Sequence, residues 1–111
     1  MRTARRGEIV LVAGGVYARK PRPAVVIQDD LFDATDSLTV CPMTTVNTHA
    51  PLLRLSVPAN EQTGLEFDSQ IMVDKVTTVR RSNIGIVVGE LGLEGMLELE
   101  RRLLVFLGLA A

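Results

Sequence analysis

The sequence predicts a mainly β domain, a small barrel or sandwich, followed by one C-terminal helix. Short apolar runs recur up to residue 88, each ended by a cluster of turn-forming residues. Aromatic residues make up 4% of the chain and tryptophan is absent, so the core must be built from Val, Leu, Ile and Met. Near residue 92 the hydrophobic period changes from strand-like to helical.

The length of 111 residues fits a single domain, 1–111, with enough chain to bury one core. An apolar fraction of 47% argues against disorder. No apolar run approaches the ~20 residues of a membrane-spanning helix, so no membrane partner is expected. The opening "MRTARRGEIVLV" has a basic start and a short apolar run, but Glu8 precedes the run and no small-residue cleavage site precedes Tyr17. Residues 1–6 therefore read as a basic tail rather than a secretion signal. The lone Cys41 cannot form an internal disulfide, which fits a reducing cytoplasm.

The runs follow in order. Residues 9–12 precede Gly14 and Gly15; residues 24–28 precede "DDLFDATD"; residues 37–43 lead into "TTVNTHAP"; residues 53–57 precede "PANEQTG". Residues 71–79 are rich in β-branched side chains, and "RRSN" separates them from residues 84–88. Several runs are apolar almost throughout, as strands covered on both faces are. The helix is expected over about 92–107. Leu93, Met96, Leu97, Leu99, Leu103, Leu104, Phe106 and Leu107 share one broad face, Glu94, Glu98, Arg101 and Arg102 the other, and Gly108 marks the end. Glu98 and Arg102 stand in the favourable i,i+4 order. The apolar stripe is wide enough for a partner subunit as well as the core, and deep burial explains the width equally well. Glu100 falls within it without a sequence-level reason.

Net charge is −1, yet residues 1–28 hold Arg2, Arg5, Arg6, Arg19, Lys20 and Arg22 against Glu8 alone. A nucleic-acid site needs such local positive potential rather than global charge, although a basic tail with a solvated loop gives the same count. The stretch "KPRPAVVIQDD" is more specific. Pro21 and Pro23 push Lys20 and Arg22 out of the helical region and stiffen the backbone that carries Arg22. A guanidinium held this way loses little entropy on engaging a phosphate, which it binds in bidentate fashion at any working pH. The plainer alternative is an edge-strand start with Arg22 paired to an acid. Thr44 and Thr45 end the third run with hydroxyls that can donate to a phosphate or simply form a turn. Asp68 opens the later run "DSQIMV" and can orient an arginine, move a proton or cap a turn. His49, the only histidine, stands in the polar loop after Thr44, either bordering a site or solvated without a role. Tyr17, beside Arg19 and Lys20, can stack on an RNA base or cover the barrel end. Cys41 reads as a buried inert thiol. No Cys/His cluster suggests a metal, and no cofactor is expected.

Taken together and in order, "RGEIVLV", "KPRPAVVIQDD", "LTVCPMTT", "GLEFDSQIMVDKVTTVRR" and "IGIVVGEL" with the terminal helix resemble the MazF/PemK toxin family. The resemblance runs from about Arg6 to Leu107. It implies an SH3-like β-barrel with a C-terminal helix, a homodimer, and a toxin that cuts single-stranded mRNA at specific sequences without a metal and is neutralised by an antitoxin with a flexible acidic segment. By position, the resemblance gives Arg22 and Thr44 catalytic roles, with Asp68 as a third group and Thr45 behind Thr44; His49 is a weaker candidate on its chemistry alone. Tyr17, Arg19, Lys20 and Arg22 are the expected RNA contacts. Two departures stand out: Glu66 occupies a place where some members carry a basic residue, and the first loop is short and lacks an acid. A gyrase-poisoning toxin of the CcdB type shares the fold but relies on a C-terminal tryptophan, which this chain lacks. An inactive binding module of the same fold is the other alternative.

Overall fold

The computed structural model describes residues 4–13 and 20–110. Its strands are β1 Glu8–Val12, β2 Arg22–Val26, β3 Ser37–Thr44, β4 Arg54–Val57, β5 Ser69–Met72, β6 Thr77–Arg80 and β7 Ile84–Glu90, followed by the helix α1 Leu93–Phe106. All strand pairs are antiparallel, in the order β4-β5-β3-β2-β1-β7, with β6 attached to β3.

The run at 71–79 is two strands rather than one. A 3-10 turn at Val73–Lys75 divides it. The break has tertiary causes: Val73 N donates to Leu53 O at 3.0 Å, and Asp74 pairs with Arg54, so the backbone is drawn toward β4. Beyond the turn the chain returns to β3. The first half of β3, Ser37 to Val40, pairs with β6, while Met43 and Thr44 pair with Ile71 and Gln70 of β5. One strand thus serves two neighbours along the same edge, which bends the sheet around on itself.

The ends of this wrapped sheet, β4 and β7, do not pair as strands. A loop bridges them instead. In the turn after β4, Gln62 O accepts from Glu90 N at 2.9 Å. Beside that bond two backbones meet with no side chain between them. A Cβ on Gly64 would lie 1.8 Å from Val88 O, and one on Gly89 would lie 2.2 Å from Thr63 O. The sheet itself is not closed, and the gap between β4 and β7 is spanned by a backbone approach that only glycine permits.

Alternation along β1, β2 and β3 feeds two cores, as their continuous apolar character predicts. Ile9, Val25, Cys41 and Met43 join Ile71, Val73 and the helix residues Met96, Leu99 and Leu103. Val10, Ala24, Val26, Leu38 and Val40 fill the opposite face. Cys41 is fully buried and its thiol is pushed up to about 12 by desolvation, so it stays protonated and unreactive.

The helix buries a narrower face than its sequence stripe suggests. Met96, Leu99 and Leu103 face the sheet, whereas Leu93, Leu97, Leu104, Phe106 and Leu107 remain exposed. The helix ends with Gly108 at φ +74°, where Gly108 N donates to Val105 O at 3.0 Å and Leu109 N to Leu104 O at 2.8 Å, satisfying the last carbonyls. Glu100 now has its reason. It accepts from Arg6 Nη1 at 3.3 Å, while Arg6 Nε donates to Ile27 O at 3.1 Å, tying the start of the chain to helix and β2 together. No helix among the described residues is long and apolar enough to cross a membrane.

Candidate active site

Arg22 is the first residue of β2 and Thr44 the last of β3. Their strands are antiparallel and pair Val26 with Val40 and Ala24 with Pro42, where the pairing stops, so the start of β2 and the end of β3 lie at the same end of the sheet. Both therefore crown the face whose interior is filled by Val10, Ala24, Val26 and Val40. Arg22 is exposed, and no acceptor among the described residues engages its guanidinium. The edge-strand alternative with a partner acid has no support there. Thr44 Oγ1 accepts from Val46 N at 3.1 Å. That bond fixes the oxygen and leaves the hydroxyl proton to be donated outward.

The row continues across the sheet. Thr44 pairs with Gln70 of β5, and Gln70 with Ser56 of β4. Gln70 is 8% exposed and both ends of its amide are used. Oε1 accepts from Thr48 N at 3.0 Å, and Nε2 donates to Asn47 Oδ1 at 3.0 Å and to Thr48 O at 3.1 Å. The loop after Thr44 is thereby folded back over β5. Farther on, Arg102 Nε donates to Pro51 O and Arg54 Nη1 to Leu53 O, each at 3.0 Å. Between loop and sheet lies a cavity of about 410 Å³ lined by Asn47, His49, Arg54, Ser56, Gln70 and Arg102.

The charges of this wall are matched. Arg54 pairs with Asp74, and Arg102 Nη1 with Glu98 Oε2 at 2.8 Å. The hydrogen bond from Arg102, reinforced by the charge of Arg101, outweighs desolvation and holds the Glu98 carboxyl below its ordinary value. A depressed carboxylate contributes stability above its unfolded pKa of about 4.3, and that contribution is lost as pH falls through the lower folded value. Acid unfolding monitored between about pH 5 and 2 should therefore show wild type losing stability faster than Glu98→Gln, whose side chain does not titrate.

Of the residues singled out from sequence, Arg22 and Thr44 stand at the adjoining ends of β2 and β3, and Lys20 lies exposed two residues before Arg22. Thr45 follows Thr44 outside the strand and is exposed. Asp68 directly precedes β5, and its Oδ1 accepts from Ala59 N at 2.8 Å in the turn after β4. His49 borders the cavity rather than the Arg22–Thr44 pair. Tyr17 and Arg19 lie outside the described residues. Sequence reading misses Gln70, Ser56 and Arg54. Gln70 alone carries a signal, as an amide directly before the apolar Ile71 and Met72 of its strand. Among the described residues no three His, Cys, Asp or Glu side chains gather in a way that would hold a metal ion.

Residues 5–107 match the family of PemK-like, MazF-like toxins of type II toxin–antitoxin systems, and the chain belongs to that family. It is 52% identical over 107 residues to the probable endoribonuclease MazF of Mycolicibacterium smegmatis, covering 96% of this chain and 98% of that one. The fold is also that of MazF in a MazE–MazF crystal structure from Deinococcus radiodurans, with a TM-score of 0.83 at 20% identity, covering 99% of this chain and 100% of that one. An endoribonuclease from a mycobacterial species in complex with its cognate antitoxin gives a TM-score of 0.79 at 19% identity over 97% and 98% of the two chains.

Proposed function

We propose that this protein is the toxin of a type II toxin–antitoxin pair, an endoribonuclease that cuts single-stranded RNA in the cytoplasm. What supports this mechanism is that Arg22 opens β2 and Thr44 ends β3 at the same end of two antiparallel strands, with the guanidinium unpartnered among the described residues. In the reaction the 2′-oxygen preceding the scissile bond attacks phosphorus, and the P–O5′ bond breaks. One proton leaves the 2′-hydroxyl and one reaches the 5′-oxygen, giving a 2′,3′-cyclic phosphate and a 5′-OH. The nucleophile is the substrate's own, so the protein's task is to hold the strand and stabilise charge. Arg22 offsets the charge on the non-bridging oxygens of the pentacovalent phosphorane, and the Thr44 hydroxyl donates to one of them. A guanidinium with pKa above ~12 is a poor proton donor, so electrostatic stabilisation is the role assigned to Arg22.

The antitoxin is assigned a flexible acidic segment that folds over the Arg22 face and competes with RNA for it. A homodimer is assigned too, and the apolar side chains left exposed on α1, among them Leu97 and Leu104, give it a surface to bury. The gyrase-poisoning alternative is set aside, because the family matched is that of PemK- and MazF-like toxins. Cleavage of a long RNA in EDTA tests the reading, comparing wild type with Thr44→Val and Thr44→Ser. Wild type should leave cyclic-phosphate ends. Valine should cut the rate roughly a hundredfold or more and serine should restore most of it. No cleavage of any RNA by wild type would return the chain to the inactive binding module.

A further inference from the structure

We infer that the cavity between the loop after Thr44 and the β4–β5 surface is a nucleobase pocket, which selects one nucleotide flanking the cut. It rests on the RNA-cleaving reading above and extends it to specificity.

The cavity lies in line with the catalytic pair. Gln70 and Ser56, which continue the row begun by Arg22 and Thr44, are also walls of the cavity. Neighbouring strands lie about 4.8 Å apart, so Ser56 stands about 10 Å across the sheet from Thr44. A strand held at the phosphate by Arg22 therefore runs past the mouth of the pocket.

Size and charge then decide what enters. About 410 Å³ lies within the range of small-ligand sites and is more than a bare phosphate requires. The arginines of the wall are already matched, Arg54 by Asp74 and Arg102 by Glu98, so little net positive charge is left to hold a phosphate. What remains is neutral recognition. The Ser56 hydroxyl is exposed and can donate or accept, and the Oδ1 of Asn47 is held by Gln70, which leaves its amide nitrogen as donor. Arg54 Nε is buried and has no acceptor among the described residues. His49 is exposed at the rim, where its imidazole offers a flat face for stacking. Unpaired bases in single-stranded RNA are read by this combination of a stacking face and edge hydrogen bonds. Gln70 is a positioning residue here: its three bonds hold Asn47 and Thr48 in place before RNA arrives, so less ordering remains for binding.

The test is cleavage of a randomised RNA pool, with products sequenced, by wild type, His49→Ala and Ser56→Ala. Both side chains are exposed, and equal melting temperatures would confirm that the variants are folded. Wild type should show a base preference at a position beside the cut. Each variant should lose about five- to a hundredfold of that preference, the usual size of a stacking or edge contact, while end chemistry and preferences elsewhere stay as they were. Unchanged preference at every position in both variants overturns the pocket, and so does a uniform fall in rate with selectivity intact. If wild type cuts no RNA, the nuclease reading falls and the pocket with it, a result distinct from cleavage with unaltered selectivity.

Discussion

Replacing Arg22 by alanine lowers RNA cleavage roughly a hundred- to a thousandfold and leaves the folded state almost untouched. The two halves of this expectation have separate grounds. Arg22 is exposed and makes no side-chain bond to the described residues, so its removal costs the fold no more than about 0.5 kcal/mol, as for ordinary surface positions. The backbone that carries it is nevertheless stiffened by Pro21 and Pro23 at the start of β2, so less entropy is lost when the guanidinium engages the phosphorane. Arg22→Lys should recover part of the rate, because an ammonium supplies charge without the bidentate fork. Single-turnover cleavage alongside thermal melting checks both halves. A variant that melts early and cuts slowly would move Arg22 from the chemistry to the fold.

The largest effect on stability should come from a residue with no chemistry at all. Gly64→Ala is expected to destabilise the protein by more than about 3 kcal/mol. At φ +66° an L side chain is strained, and its Cβ would be driven to 1.8 Å from Val88 O, a backbone atom that cannot swing aside. Relieving that clash pushes apart the two backbones whose approach bridges β4 to β7. Gly108→Ala is the matched control. It has φ +74° but nothing within 4 Å of the added Cβ, so only the backbone cost of about 1–2 kcal/mol applies. Denaturant midpoints of the two variants separate the clash from the dihedral. Equal losses of stability would mean that the Gly64–Val88 approach relaxes without cost and does not fasten β4 to β7.

The features legible in sequence are those whose causes are local. Arg22 is marked by the prolines on either side of it, and the helix by its own period and terminal glycine. The double coverage of β1 to β3 is visible because both faces of each strand are apolar. Features that depend on distant partners are not legible. Gln70 acts on Asn47 and Thr48, 23 and 22 positions away, so its role waits on the fold-back of the loop. Glu100 answers to Arg6, 94 positions earlier. The division of the run at 71–79 follows from Leu53 and Arg54, which no local propensity reveals. Asp68 shows the converse. Its sequence position suggests chemistry, and its bond to Ala59 N, nine positions earlier, is a turn contact that only the fold reveals.

At the centre of the proposed mechanism, the substrate's own 2′-hydroxyl performs the attack while Arg22 and Thr44 stabilise the phosphorane. The most direct measurement uses an RNA with one mapped cleavage site and a single 2′-deoxy substitution in the nucleotide that supplies the attacking oxygen. The intact RNA should be cut to a 2′,3′-cyclic phosphate and a 5′-OH, and the substituted RNA should bind but not be cut. Cleavage of the substituted strand at the same bond, with water as the nucleophile, would contradict this mechanism.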